Sequence, residues 1–498
     1  MLKLGIIESL EPLYSRLPAV KGPEKQLDLV TKIKWSSMAV LLFFLLGEVK
    51  LIGITPTTAG FLEQFQLIVA SQIGTILTAG IGPIVIASLV LQLLVGSKII
   101  TLNMTDPSDR AKFMGVQKLL AITMCFFEPV AYAAGGLLAP EGGFGLNFNT
   151  ALVVGQVALG SLILLYLDEL SSKWGLGSGI GLFIAAGVSQ SIIWRFVNPF
   201  TAITDEVGRQ ALWFASSGTP EGLVLSAFYW LLQLDVRAAL LAVLPIAFTI
   251  AVFLAVAFVE GMHIDLPLMF GSQGIGTRFP IKLLYASNIP VIFASMLFAN
   301  VQLMASVLQG TPVGPFLGQY DAANQIVGGF ALLTQAPFGY VLNTIGLIVN
   351  GGVTASIDNA LPFLHLTGVE GILQQLPHAL GYFVLLTVTA TGFGLLWLEV
   401  SGTGPETLAE QLHSQGHQIA GYRRDPRIMS MVLYKYIPAA AFVGSAAVGM
   451  LAAGADIFGA IGSGTGILLT VGILYRQYEE LKKLQDQEQN PILARFLA

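Results

Sequence analysis

The most regular feature of the chain is a series of long apolar stretches separated by shorter polar ones. A helix needs about 20 mostly apolar residues to cross a bilayer. Ten stretches approach that length, some of them only with their flanks, so the pattern predicts ten membrane-spanning helices. They lie near residues 33–54, 75–100, 113–138, 150–167, 176–197, 238–262, 289–309, 378–399, 437–453 and 462–475.

Three further apolar stretches fit a membrane span poorly. Residues 57–73 are amphipathic and too polar to cross a bilayer, and residues 222–232 are too few. Residues 339–353 are interrupted by Asn343, Asn350 and paired glycines. This last stretch is therefore predicted to form a re-entrant or interfacial helix.

The positions of the basic residues predict the orientation. If the N-terminus is cytoplasmic and ten helices alternate, all but four of the 25 Lys and Arg residues lie on the cytoplasmic side. The positive-inside rule describes such a bias. An eleventh span at 339–353 would place Arg423, Arg424 and Arg427 on the opposite side. We therefore predict ten spans with both termini in the cytoplasm.

The polar stretch 198–235 divides the spans into two sets of five. Because five is odd, the second set begins on the opposite side of the membrane, which is the topology of an inverted repeat. No sequence similarity between the halves is evident, so this repeat rests on topology alone. The predicted segments are a cytoplasmic amphipathic segment 1–34, a first half 35–199, an exterior linker 200–236, a second half 237–480 and a cytoplasmic tail 481–498.

Composition agrees with a membrane protein. Only 11% of the residues are charged and the mean hydropathy is +0.74, whereas a soluble domain carries about 25% charged residues. A soluble enzyme is thereby excluded. The sequence has no P-loop, H-E-x-x-H or G-x-S-x-G motif, and its five histidines are scattered. We therefore predict a protein without catalytic residues, metal site or cofactor.

Two features remain open to more than one interpretation. Glu128 is the one ionisable residue well inside an apolar stretch. It is either a functional interior group or a neutral carboxyl at a helix contact, with Gln92 and Asn300 as candidate partners. The basic residues between 423 and 435 either set the topology or bind an acidic partner such as ribosomal RNA.

Several long segments, in order along nearly the whole chain, closely resemble the archaeal and eukaryotic branch of the SecY protein-conducting channel family. They are LTAGIGPIVIASLVLQLLVGSKII (77–100), GVQKLLAI (115–122), WGLGSGIGLFIAAG (174–187), RFPIKLLYASNIPVIF (278–293), GYRR (421–424), YKYIP (434–438) and GAIGSGTGILLTVGILYRQYE (459–479).

The resemblance implies a multi-pass protein of the cell membrane that acts as a passive pore and not as an enzyme. Its fold class is all-α and polytopic, with two pseudo-inverted five-helix halves around a central pore. Unfolded polypeptides pass through the pore, and apolar segments such as signal sequences leave sideways into membrane lipid. The implied partners are the small membrane subunits SecE and Secβ and the ribosome.

The resemblance also implies a constriction formed by six aliphatic side chains. We call these residues the pore ring. Carried over by local motif, they are Ile81, Val85, Ile180, Ile184, Ile292 and Leu469. Residues 81/85 and 180/184 are i, i+4 pairs, which lie on one helix face. Composition alone is equally compatible with ordinary core or lipid-facing positions.

Other implied sites follow the same matches. The amphipathic stretch 57–73 lies where the family has its plug, and Glu128, Asn300 and Gln92 are assigned to a lateral gate. Arg423 and Arg424 are assigned to ribosome docking together with Arg278, although the 262–286 loop holds only one other basic residue, Lys282.

Two other classes of protein remain as alternatives. A secondary transporter also favours inverted repeats, but it should carry several ionisable groups at the midplane. An intramembrane aspartyl protease is suggested only by Tyr320-Asp321, and Asp321 is predicted in an exterior loop. A Glu128→Gln variant separates a proton-coupled carrier, which loses coupling, from a translocation pore, which continues to export.

Overall fold

The computed structural model is built almost entirely from helices. It describes residues 10–25, 27–55, 66, 70–96, 99–100, 102, 106–145, 147–204, 210–215, 218–270, 275–284, 289–320, 326–349, 368–401, 404–414, 417–419 and 425–489. The helices are α1 Leu29–Gly47, α2 Gly82–Gly96, α3 Pro107–Ala134, α4 Phe148–Trp174, α5 Gly179–Val197, α6 Leu223–Leu232, α7 Val236–Glu260, α8 Ile289–Val307, α9 Gly314–Leu317, α10 Phe330–Thr334, α11 Tyr340–Val349, α12 Gly368–Val400, α13 Pro405–Ser414, α14 Pro426–Phe458 and α15 Gly464–Gln489.

Eight of these helices, within the described residues, are long and apolar enough to cross a membrane. They are α1, α3, α4, α5, α7, α8, α12 and α14, and each corresponds to a predicted span. Their outer faces carry exposed apolar side chains such as Phe127, Leu254 and Val388, which suit contact with lipid. The prediction of a multi-pass membrane protein is confirmed.

The other two predicted spans differ from their expected bounds. Helix α2 has only 15 residues and begins at Gly82, because residues 75–81 form turns. Thr78 Oγ1 donates to the Thr75 carbonyl at 2.5 Å, and Gly80 has a φ of +53°. Helix α15 continues through Glu480 to Gln489, past the predicted start of the tail.

The fold is helical, as the all-α class predicts, and the connections between the helices add short antiparallel strands. Strands β1 Phe200–Thr204 and β2 Gln210–Leu212 form one antiparallel pair, and β5 Gln319–Tyr320 pairs with β6 Ile326–Gly328. The 262–286 connection is a hairpin of β3 His263–Phe270 and β4 Ile275–Lys282, with β7 His417–Ile419 beside β3. Backbone N–H and C=O groups in the connections have no partners within a helix. In a hairpin they form hydrogen bonds with the neighbouring strand.

The largest apolar core joins both predicted halves. It includes buried residues of α2 and α5 from the first half and of α8, α12, α14 and α15 from the second. A separate cluster packs the hairpin against α13 and α14. Helix α11 has ten residues, about 15 Å at 1.5 Å per residue. It is too short to span, as expected for the 339–353 stretch.

Candidate functional site

The six residues of the pore ring meet in this central core. Ile81, Ile184 and Leu469 are fully buried and Val85 is 4% exposed. Ile180 and Ile292 are half-buried and pack against the same cluster. The structure thus brings together side chains from α2, α5, α8 and α15, and from the turn before α2, that are up to 388 positions apart in the chain.

A cavity of about 340 Å³ lies beside the ring. Four ring residues form one part of its wall: Val85, Ile180, Ile184 and Ile292. Its other lining includes Arg476, Gln477 and Glu480 of α15. The cavity therefore runs from a polar end of the bundle to the apolar ring.

The end of the predicted plug contacts the same core. Ala70 is 3% exposed and belongs to the central cluster, and its φ of +49° marks a tight turn. Most of the stretch 57–73 lies outside the described residues, so the plug helix itself stays a prediction.

Helix α5 begins in a glycine loop that is held by the preceding helix. Asp168 of α4 accepts a hydrogen bond from the backbone N–H of Ile180 at 2.9 Å. A Cβ on Gly179 would lie 2.6 Å from the Asp168 Cα. Because the loop passes so close to α4, position 179 accepts only glycine without rearrangement, and Gly177 has a φ of +68°.

Helix α15 begins in the same way. Asp456 of α14 accepts a hydrogen bond from the backbone N–H of Gly464 at 2.6 Å and another from the Tyr382 hydroxyl at 2.9 Å. A Cβ on Gly464 would lie 2.0 Å from the Ala452 carbonyl oxygen. Asp456 is 2% exposed. A carboxyl group that stands between two predicted spans is therefore buried as deeply as Glu128.

These two loops reveal a local repeat that was not expected from the sequence. Residues 177–181 read GSGIG and residues 462–466 read GSGTG, and a helix begins at the corresponding glycine in each. Ile184 and Leu469 each lie five residues after that glycine. These two ring residues therefore occupy equivalent positions in the two halves.

Helices α2 and α8 form a second repeated pair. Residues 83–88 read PIVIAS and residues 290–295 read PVIFAS, and each helix begins one residue before the proline. Val85 and Ile292 are equivalent in this alignment. Four of the six ring residues thus form two equivalent pairs, whereas Ile81 and Ile180 have Asn288 and Thr465 as counterparts.

A third correspondence concerns two glycines against which the segments before α2 and α8 pack closely. A Cβ on Gly160 of α4 would lie 2.0 Å from the Ile76 carbonyl oxygen, and one on Gly444 of α14 would lie 2.1 Å from that of Leu283. Ile76 and Leu283 each precede the repeated proline by seven residues. Both halves therefore use the same backbone contact.

The residues assigned to the lateral gate are not joined by hydrogen bonds. Glu128 is 4% exposed and accepts from the Tyr132 hydroxyl at 3.3 Å, one turn along α3. Gln92 donates to Ser88 at 2.8 Å and Asn300 to the Met296 carbonyl at 2.7 Å, each within its own helix. In the described part of the structure Glu128 is bonded to Tyr132 and not to its candidate partners Gln92 and Asn300. Residues at i, i+4 are neighbours on one helix face, so the Tyr132 hydroxyl reaches one of the two Glu128 oxygens.

Helices α3 and α8 nevertheless pack together at one end. Tyr132 is buried in a cluster that includes Leu303 of α8. A Cβ on Gly135 would lie 2.9 Å from the Ser306 hydroxyl. One turn before Tyr132, the buried Glu128 Oε1 has no hydrogen-bond partner within the described part of the chain.

The residues assigned to docking are less fully described. Arg423 and Arg424 lie outside the described residues, and Arg278 lies on β4, where its backbone pairs with Pro267. Lys282 forms an ion pair with Glu479 at 2.6 Å. The second basic residue of the hairpin is therefore directed at α15.

A family model for SecY matches residues 75–478. That range includes all six ring residues, both glycine loops and the repeated helix starts. The chain belongs to the SecY family.

Full-length relatives agree with this assignment. The chain is 38% identical to a protein translocase subunit SecY of Pyrococcus horikoshii, over 99% of both chains. It is 39% identical to the SecY subunit of Methanothermobacter thermautotrophicus, over 98% of both.

Solved structures of the SecY family give the same result for the fold. A structure described as that of a protein-conducting channel is 36% identical, with a TM-score of 0.76 over 96% of this chain and 98% of the other. Sec61 in a canine ribosome-channel complex from the endoplasmic reticulum is 34% identical, with a TM-score of 0.73 and the same coverage. The expected family is confirmed.

Proposed function

We propose that this chain is the pore-forming subunit of a protein translocase, in which unfolded polypeptides cross the membrane through the pore ring. The observation that carries the proposal is the convergence of the six ring residues in one apolar core beside the 340 Å³ cavity. A narrow apolar constriction excludes water and ions by dewetting. It offers a passing polypeptide no strong binding site, so the chain is released again.

The ten-span topology supports this arrangement. Eight helices have the length and apolarity of spans, and α2 and the apolar first part of α15 complete the ten. With both termini in the cytoplasm, the two glycine loops lie on opposite sides of the membrane. The repeats described above then relate two inverted five-helix halves, and the pore lies between them.

The lateral gate lies between α3 and α8 in this proposal. An apolar segment in the pore leaves for lipid when its transfer free energy favours the bilayer, at about −0.3 to −0.6 kcal/mol for each central Leu, Ile, Phe or Val. Glu128 lies on α3 at this gate, and one of its two carboxylate oxygens has no hydrogen-bond partner among the described residues. Gln92 and Asn300 line the neighbouring helices.

The chain supplies no source of energy, so partners must drive the polypeptide. The partners are two small membrane subunits, SecE and Secβ, of which SecE clamps the two halves. The ribosome docks at the basic loop with Arg423 and Arg424. Arg278 adds to that surface from β4. Lys282 contributes less because Glu479 already pairs with it.

Site-specific photo-crosslinking tests the proposed path. A photoreactive residue in place of Ile292 should crosslink to a polypeptide stalled during export, in membranes that contain the complete complex. The matched control replaces Leu254, whose side chain is 62% exposed on the outer face of α7, and it should crosslink to lipid. Crosslinks to the polypeptide from Leu254 but not from Ile292 would contradict the proposal.

A further inference from the structure

Two helices that carry the pore ring begin with their first backbone N–H groups bound to a carboxylate of another helix. The first four N–H groups of any helix have no partner within it. A residue at the N-cap usually accepts one of them. Here Asp168 on α4 accepts from Ile180, and Asp456 on α14 accepts from Gly464.

We infer that Asp168 and Asp456 are positioning residues of the pore ring. Each holds the first turn of a ring-bearing helix against its neighbour and so fixes the direction of the ring side chains. The inference rests on the proposed function, because it assumes that Ile180, Ile184 and Leu469 form the constriction.

The distances along the helices support this role. Ile180 is itself the residue whose N–H is bound to Asp168. Ile184 follows one turn later on the same face. A helix turns about 100° per residue. If the first residue of α5 leaves its helical position, the directions of both Ile180 and Ile184 are therefore less firmly fixed. Leu469 lies five residues after Gly464, the same spacing as that of Ile184 from Gly179.

The glycines make this contact possible. Gly179 and Gly464 leave the space through which the loop approaches the preceding helix, because a Cβ there would lie 2.6 Å and 2.0 Å, respectively, from the nearest backbone atom. The repeated Gly-Ser-Gly sequence and the buried carboxylate therefore act as one unit in each half. The sequence pattern alone does not identify the aspartate, which lies eight to eleven residues earlier.

The two units differ in the additional hydrogen bonds that support the carboxylate and the start of the helix. In the second, Ser463 accepts from the Gly466 N–H at 3.0 Å, and Tyr382 also donates to Asp456. In the first, the hydroxyl of the N-cap Ser178 donates to Asp168 over a longer distance of 3.5 Å, and it accepts no backbone N–H of α5 among the described residues. Asp168 therefore has the larger influence on the ring, and Asp456 has the larger influence on folding.

The test measures resting ion conductance of the complete complex in planar bilayers, together with its thermal unfolding temperature. Asp168→Ala should raise the conductance several-fold and Asp456→Ala less. Asp168→Asn, which retains an oxygen acceptor, should restore the low conductance of the native channel. Asp235→Ala is the matched control, since Asp235 caps α7 through Arg237 and Ala238 and that helix carries no ring residue.

Two further variants keep the result decisive. If Asp168→Ala does not assemble, Gly177→Ala strains the same loop at its left-handed backbone position and should also raise the conductance. Ile184→Gly reports on the ring itself. A leak with Ile184→Gly but with neither Asp168→Ala nor Gly177→Ala would overturn the positioning role alone. If Ile184→Gly does not leak either, the proposed ring fails with it.

Discussion

The two halves of the molecule build the same helix junctions but contribute unequally to the ring. In both, a glycine of one helix admits a backbone carbonyl, a proline follows the start of a second helix, and a carboxylate holds the start of a third. The first half supplies four ring residues and the second supplies two. The junctions are thus shared, while the side chains at the constriction have diverged.

The comparison distinguishes residues that stabilise the fold, which are shared by the halves, from residues that seal the pore, which are not. Each shared contact involves a backbone atom. The residue opposite it must only be small enough, as glycine is, or supply an acceptor oxygen, as aspartate does. The ring positions need only be bulky and apolar, and two of their counterparts in the second half, Asn288 and Thr465, are polar. Thr465 is 2% exposed and its hydroxyl lies 3.5 Å from that of Ser295. A polar group at this position is therefore accommodated away from water.

The glycine contacts give the largest expected effect on stability. Gly160→Ala and Gly444→Ala each place a Cβ about 2 Å from a carbonyl oxygen. Overpacking costs about 1–3 kcal/mol and occasionally more, and we expect the upper end of this range because the contacted atom belongs to the backbone. Thermal unfolding of the detergent-solubilised complex should show similar losses for the two variants. Gly155→Ala on α4, where a Cβ meets nothing within 4 Å, serves as the control. A loss for only one of the two variants would break the equivalence of the halves.

The buried tyrosine–carboxylate pairs give an intermediate effect that should differ between the halves. Tyr382→Phe removes a 2.9 Å hydrogen bond to Asp456 and Tyr132→Phe a 3.3 Å one to Glu128. A lost partner of a buried polar group costs about 1–3 kcal/mol, so Tyr382→Phe should lower the unfolding temperature more. The reverse order would show that the Glu128 pair is the stronger structural contact.

The loop serines give the smallest effect. Ser463→Ala removes the side-chain cap of α15 and should destabilise by about 1 kcal/mol. Ser178→Ala should lower the unfolding temperature less, because the Ser178 hydroxyl does not cap α5 and makes only a long 3.5 Å hydrogen bond to Asp168. Equal losses in calorimetry would contradict the assignment of the α5 cap to Asp168.

Most spans could be predicted from the sequence because each is a local property of about 20 residues. Helix α7 runs over Val236–Glu260, close to the predicted 238–262. The start of α2 was misplaced because residues 75–81 are apolar, although their glycines and threonines form turns. The β3–β4 hairpin was missed because each strand contains a proline, Pro267 or Pro280, and a proline within a run argues against a strand.

The candidate site was less accessible from sequence. The ring required family motifs, since nothing local distinguishes Ile184 from the lipid-facing Ile193. The sequence offered Gln92 and Asn300 as candidate partners of Glu128, whereas the described hydrogen bond comes from Tyr132, four residues along the same helix. Asp456 was overlooked because it stands at the edge of an apolar stretch, and its contact with Gly464 depends on how two helices meet. The repeat escaped notice because it consists of a few residues more than 200 positions apart.

The central claim is that the pore ring seals the resting channel. Its most direct measurement is the resting ion conductance of the complete complex with the equivalent pair replaced, Ile184→Gly together with Leu469→Gly. Ile193→Gly, at a position that is 63% exposed on the same α5 helix, is the control. We predict a strongly raised conductance for the double variant and an unchanged one for the control. A double variant as tight to ions as the native channel would contradict the account.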